Sequence, residues 1–130
     1  MYSNRILNRF KSPEYAGGLR GANGTGRAGN ETSDLIKIYI LVSDEGVIER
    51  VNFKAYGGVC TIVAGDCACE LIDGASLEEA LRVNNYSILQ EMGEIPEERE
   101  YVGNLAEEAI KNAIEDYYKK REKELKKQGK

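Results

Sequence analysis

The sequence predicts an α+β fold: a three-stranded antiparallel sheet with helices packed on one face and a long C-terminal helix. Three observations carry this expectation. Strand-period segments lie in the first half of the chain and meet at an acidic-glycine turn. Helical periodicity runs through most of the second half. A chain of 130 residues, 42% apolar and 31% charged, is also long enough to bury one core without staples. The expected unit is a single domain over 1–130, with 119–130 as a basic tail.

The first segment is a short amphipathic helix. Tyr2, Ile6, Leu7 and Phe10 fall at helical spacing, Ser3 is placed to cap it, and Pro13 ends it. A glycine-dense stretch runs from Gly17 to Gly29. Its glycines predict turns around a short or edge strand, and the third strand of the sheet is expected around Gly24 to Gly29. Asp34 to Ser43 is rich in β-branched and aromatic residues. Val47 to Tyr56 alternates Val47, Glu49, Val51, Phe53 and Ala55 against a mostly polar set. With Asp44-Glu45-Gly46 between them, the two segments form a β-hairpin on a three-residue loop.

Gly57-Gly58 breaks the strand, and Val59 to Ile72 reads as a buried helix closed by Asp73-Gly74. Ser76-Leu77-Glu78-Glu79 is a capping box opening a short helix to Val83. Asn84 to Met92 is another short helix, stopped by Gly93. The last helix spans Arg99 to Lys126. Its apolar positions keep the 3.6-residue period as far as Tyr117, and from Lys119 onward the stripe is lost, which predicts a solvated, fraying end.

Charge and composition exclude several functions. A net charge of −4 argues against a dedicated nucleic-acid binder. No stretch is apolar enough to span a membrane, and the first residues carry no apolar leader segment. Three cysteines in such a chain predict reduced thiols and a cytoplasmic location. The absence of histidine excludes Ser-His-Asp and Cys-His catalysis and the usual histidine-containing zinc sites.

Several strings in order give a resemblance. They are Tyr2-Ser3, Ser12-Pro13, Gly24-Thr25-Gly26, Glu45-Gly46-Val47-Ile48, Glu70-Leu71-Ile72-Asp73-Gly74, Ser76 to Ala80, and Leu105 to Ile110 with Ala113. Each alone is weak, but their number, order and spacing carry the assignment. The chain resembles the iron–sulfur cluster scaffold family called IscU, SufU or the N-terminal domain of NifU. The match covers essentially the whole chain up to about residue 120. The resemblance implies a scaffold rather than an enzyme, with iron or an iron–sulfur cluster as its cargo. It also implies a cysteine desulfurase-type protein or other assembly proteins as partners.

The family holds its cluster with three cysteines, helped by an aspartate and often a histidine, and here the sequence departs from it. In the family's C-G-D string the aspartate survives as Asp34, while the cysteine is Thr32 or Ser33, depending on where one gap falls. The second cysteine position, counted back without a gap from Glu70, is Gly58, and Cys60, two residues further on, substitutes only if the elbow shifts. The third, in an H-C pair opening the long helix, falls at Tyr101-Val102. The string that a chaperone partner reads in some members corresponds to Ile95-Pro96-Glu97-Glu98-Arg99, with only its first two positions kept.

The three cysteines present lie on the helix after the elbow. At 100° per residue, Cys60, Val63, Cys67 and Leu71 share one stripe, which predicts a core-facing row. Cys67 and Cys69 point to nearly opposite sides, so they cannot chelate one ion while the segment stays helical, and small apolar fillers are the expected role of both. Cys60 sits in the first turn, where the helix dipole favours thiolate. Cys60 and Asp34 are therefore the candidate metal or cluster ligands. Asp34 could equally be a strand-start turn residue. Thr32, Ser33, Gly58, Tyr101 and Val102 mark the vestigial site.

One thiolate and one carboxylate make a poor iron site within a monomer. A cluster bridged between two chains needs only one or two ligands from each, so a homo-oligomer stays open. The reading is a divergent scaffold with a weakened or lost cluster site. The alternative is a ligand-poor binding or regulatory module holding no cluster, and a thiol enzyme using Cys60 ranks last. The family topology would bring Thr32–Asp34, Gly57–Cys60 and Tyr101–Val102 together.

Overall fold

A computed structural model describes residues 2–129. Helix α1 spans Asn4–Lys11, and the strands are β1 (Gly24–Gly29), β2 (Leu35–Val42) and β3 (Ile48–Tyr56). Helices α2 (Val59–Ile72), α3 (Leu77–Leu81) and α4 (Asn85–Met92) come next. A 3₁₀ turn over Glu97–Arg99 then leads into α5 (Tyr101–Gln128). The expected architecture is the observed one: an antiparallel sheet in the order β1-β2-β3, with α2 and α5 on one face.

The inner face of the sheet is graded across its strands. Gly26 pairs with Ile38, which pairs with Phe53, giving a row of no, medium and large side chain. At the Gly26 end, α5 lies directly on the strand: a β-carbon there would overlap backbone atoms of Ala109, Asn112 and Ala113. At the Phe53 end, the ring fills the space left by Gly65 of α2. Ile36, Ile40 and Val51 complete this face and are buried. The glycines of β1 therefore serve close helix approach more than turns. Gly29 alone of this group has a positive φ, +94°, and it turns the chain out of β1.

Both sheet edges carry partners from other segments. The backbone N–H of Thr25 donates to the Asp116 carboxylate (2.8 Å), and Asn112 Nδ2 donates to the carbonyl of Arg27 (2.9 Å). Helix α5 thus covers the face of β1 and also occupies its free edge. On the far side, Phe53 exchanges backbone hydrogen bonds with the segment after α1, donating to Tyr15 and accepting from Gly17.

The helix boundaries match their caps. Ser3 caps α1 through Ile6 N–H, and both arms of the capping box at Ser76 and Glu79 are present. Two expectations need correction. Helix α3 ends at Leu81, short of Val83. The long helix starts at Tyr101, because the residues after Pro96 close a 3₁₀ turn first. Its end, from Lys119 onward, runs to Gln128, two residues past the expected Lys126. It is solvated on all sides, and the pairs Glu115–Lys119, Asp116–Lys120 and Glu122–Lys126 (2.9–3.3 Å) brace it. Lys130 lies outside the described residues.

Helix α2 also differs from the single core-facing stripe expected of it. Cys60, Thr61, Val63 to Cys69 and Ile72 are all buried, whereas Leu71 is only partly so. The helix runs between the sheet, α1, α4 and α5, so nearly every side finds cover. Asp66 is the charged exception in its middle. Arg9 of α1 donates to it at 2.7 Å, and the Tyr15 backbone N–H donates at 2.8 Å.

The glycine contact gives a direct test. Gly26→Ala should destabilise the fold by about 3 kcal/mol in denaturant titration, because α5 backbone cannot yield as a side chain can. Gly58→Ala, at a position with open space around it, should change stability by well under half of that.

Candidate functional site

Asp34 stands between a turn and β2. Asn30 builds the turn: its Oδ1 accepts from the N–H and hydroxyl groups of both Thr32 and Ser33 at 2.6–3.1 Å, and its own N–H donates to the Asp34 carbonyl at 2.8 Å. Thr32 and Ser33 are consequently exposed and committed to their own loop. The Asp34 side chain instead reaches the start of α2.

That helix opens on two glycines. Gly57 has φ +138°, and a side chain there would overlap the Asp34 carboxylate and Thr61. Gly58 is the N-cap and has no side chain to offer. Asp34 reaches this helix start from another part of the chain. Its Oδ1 accepts from Thr61 Oγ1, in the first turn of α2, at 2.6 Å. The second oxygen, Oδ2, accepts from the Tyr101 hydroxyl at 2.5 Å, with Arg99 Nη1 3.5 Å from that hydroxyl.

The start of β2, the glycine elbow and the start of α5 therefore meet at one carboxylate. Burial pushes that carboxyl up, but the Thr61 and Tyr101 hydrogen bonds, the Arg99 charge and the Gly58 N–H together hold it below the ordinary range. The Tyr101 phenol is raised, first by its bond to Asp34 and then by burial. Tyr101 remains 38% exposed, so the cluster sits at the surface. Val102 does not join it: its side chain is fully buried in the core. Gly58 is exposed and has open space where a side chain would stand.

Cys60 lies on the same turn of α2 but is 2% exposed. The expectation of a dipole-favoured thiolate fails here. Burial pushes the thiol up, and the neighbouring Tyr2 hydroxyl and the Arg99 charge only partly offset it. The helix-end effect is worth about 0.3–1 kcal/mol near a surface, less than the desolvation of a buried thiolate. Burial also pushes Cys67 up to about 12, and Cys69 is raised well above the ordinary range. All three thiols are free. Among the described residues, no three Cys, Asp or Glu side chains form a group able to hold a metal ion.

Two features escape a reading of the sequence alone. Thr61 was not singled out as a partner of Asp34; the signal available was a hydroxyl in the first turn of a helix whose N-cap is glycine. A second polar cluster was also missed. Arg9 bridges Asp66 and Glu70 of α2 at 2.7 Å each and reaches Glu91 of α4 at 3.9 Å. An aspartate inside an otherwise apolar helix was its trace in the sequence.

The hydrogen bonds at Asp34 and the burial of the thiols can each be measured. Tyr101→Phe and Thr61→Val should each raise the Asp34 carboxyl toward its ordinary value, read by NMR titration, and each should cost about 1 kcal/mol of stability at neutral pH. A depressed carboxyl stabilises fully above the ordinary aspartate range and loses that contribution as pH falls through its folded value. Asp34→Asn should therefore flatten stability against pH on the acid side. Alkylation of Cys60, Cys67 and Cys69 by a thiol reagent at about pH 8, near the ordinary thiol range, should be slow until the protein unfolds. Cys67→Ala should cost about 1–2 kcal/mol.

Comparison with known proteins places the chain. The NifU-like N terminal domain family matches residues 1–124. The iron-sulfur cluster assembly scaffold protein IscU of Escherichia coli (strain K12) is 36% identical over 125 residues, covering 93% of this chain and 97% of that protein. Archaeoglobus fulgidus IscU 1 is 34% identical over 121 residues, covering 92% of this chain and 78% of that protein. The crystal structure of a NifU-like N-terminal protein from Brucella abortus superposes with a TM-score of 0.67 at 18% identity, over 91% of this chain and 94% of the other. A putative SUF-system scaffold protein from Fervidobacterium islandicum gives a TM-score of 0.65 at 18% identity, over 87% and 96% of the two chains. With the family matched across nearly its whole length, the chain belongs to the NifU-like N-terminal domain family.

Proposed function

We propose that this chain acts in iron–sulfur cluster assembly as a scaffold-type protein, and that its single chain holds iron weakly. Family membership and the whole-length similarity to proteins named as assembly scaffolds support the first half. The second half rests on one observation: both oxygens of Asp34 are taken by hydroxyl donors while all three thiols are buried. A cluster wants mostly thiolate ligands. The residues at the positions that carry cysteine in the resembling family are Thr32 or Ser33, Gly58 and Val102, which offer no thiolate. Cys60 and Asp34 remain the nearest candidates. They would bind only if Cys60 were uncovered and deprotonated and Asp34 released by Tyr101.

The cargo in this reading is iron or an iron–sulfur cluster, shared with a second chain or supplied through a cysteine desulfurase-type partner. The alternative, a binding module that holds no cluster, gains from Tyr101, an exposed tyrosine on a polar patch where three segments meet. A thiol enzyme is disfavoured, because a buried, protonated Cys60 has no base beside it.

Anaerobic reconstitution with ferrous iron and sulfide tests the chemistry. The desalted monomer should be colourless. Near-stoichiometric iron and sulfide per chain, with absorption lost on Cys60→Ser, would overturn the weak-binding half. Thr32→Cys, Gly58→Cys and Val102→Cys together should bring visible absorption. A co-sedimentation assay with the cysteine desulfurase of the same organism tests the assembly half. Absence of a complex at tens of micromolar would sink it in favour of the module.

A further inference from the structure

The solvent face of the sheet carries an arrangement that stability does not favour. In the ladder register, Arg27 of β1 stands opposite Lys37 of β2, and Lys37 stands opposite Lys54 of β3. Three cations thus form one straight row across all three strands, on a chain whose net charge is −4. Like charges directly opposite on a sheet face repel. Little offsets this. Arg27 reaches only Glu31, at 3.8 Å with both side chains largely exposed, and Lys37 and Lys54 make no ion pair among the described residues. The row is also framed by aromatics. Tyr39 holds the Lys37 ammonium 5.2 Å from its ring centroid, and Tyr56, two residues beyond Lys54, is 65% exposed.

We infer that this sheet face is a docking surface for an acidic amphipathic helix of a partner protein. The proposal is independent of the cluster chemistry. Charge complementarity names the sign of the partner. The spacing names its form: adjacent strands lie about 4.8 Å apart, and acidic side chains at i, i+4 and i+7 of a helix repeat about every 5–6 Å. An extended segment repeats its same-face side chains about every 6.6 Å and falls out of step with the row. The flanking tyrosines supply apolar contact with a hydroxyl handle, the composition favoured in interface centres. A nucleic-acid strand fits less well, because the acidic balance of the chain repels a long polyanion outside the row.

The probe is a synthetic helical peptide of about 16 residues, long enough to hold a helix, with glutamates at i, i+4 and i+7 and leucines beside them. The control is an isomer with the glutamates spread around the helix. Expected are a salt-sensitive interaction by NMR, with shifts confined to Arg27, Lys37, Tyr39, Lys54 and their neighbours, and at least tenfold weaker binding of the isomer. Lys37→Glu turns the row into alternating charge. It should raise Tm by about 2 °C while weakening the peptide at least tenfold. A row with a purely structural role would change Tm and leave peptide affinity alone. Arg27→Gln and Lys54→Gln, both exposed, should weaken binding with the fold intact. Equal binding of the two peptides would overturn the proposal. So would affinity unchanged by these substitutions, tighter binding of a single-stranded oligonucleotide than of the peptide, or self-association of the protein alone that the three substitutions abolish.

Discussion

The backbone of α5 lies on the backbone of β1, and the rest of the molecule is arranged to permit it. Only a strand with little or no side chain on that face admits a helix so close, which is why Gly24, Gly26 and Ala28 alternate with Thr25 and Arg27. The close approach then asks for bulk at the other side of the sheet. Phe53 provides it, and Gly65 of α2 makes room for the ring. One row, Gly26–Ile38–Phe53, thereby meets α5 at its bare end and α2 at its bulky end. It also lets Asp116 and Asn112 reach the edge of β1, so the helix that needs the glycines protects the strand they weaken.

That geometry decides where α5 begins, and so what stands at the surface site. With its middle pinned to β1, the first turn of α5 falls beside the start of β2, and Tyr101 meets Asp34. The same carboxylate accepts from the Thr61 hydroxyl in the first turn of α2. Two helices and a strand are therefore tied at one acidic side chain. A carboxylate accepting from two hydroxyls is worth more to the fold than an exposed aspartate, by about 1.5–3 kcal/mol per charge-assisted bond before solvent screening. A metal ion competing for Asp34 has to displace those donors.

Much of this was legible in the sequence. The hairpin from Asp34 to Tyr56, helix Val59–Ile72 and the Ser76–Glu79 box all rest on local patterns, period or capping chemistry within a few residues. Long-range coincidences were not legible. Gly24 and Gly26 have the spacing of turn glycines as much as of a helix seat, and only α5, far along the chain, distinguishes the two. Asp34 was identified, but its partners Thr61 and Tyr101 lie 27 and 67 residues away. The Cys60 expectation failed for a different reason: the helix dipole can be read from position, whereas burial depends on everything that packs over the helix. The row Arg27–Lys37–Lys54 was likewise invisible, because it exists only through the register of three strands.

The interior of α2 shows how the fold handles a charge that it does bury. Asp66, 1% exposed, receives Arg9 and the Tyr15 backbone N–H. Glu70 and Glu91 then share the outer side of the same guanidinium, at 2.7 and 3.9 Å. The mutual influence of the two neighbouring glutamates, ahead of burial, lowers Glu70 and raises Glu91. One arginine among three carboxylates leaves an excess of negative charge at this cluster. Removing Arg9 would strand Asp66 without a counter-charge, a far larger loss than an exposed ion pair represents. Helix α1 is thus held to the body by the buried side chain of Ile6 and by electrostatic need at Asp66, so its position is set by α2 even though its own eight residues could not stay helical alone. The thiols of Cys67 and Cys69 sit inside the helix that this cluster anchors. The polar cluster holds α1 against the same helix whose packing keeps both thiols buried.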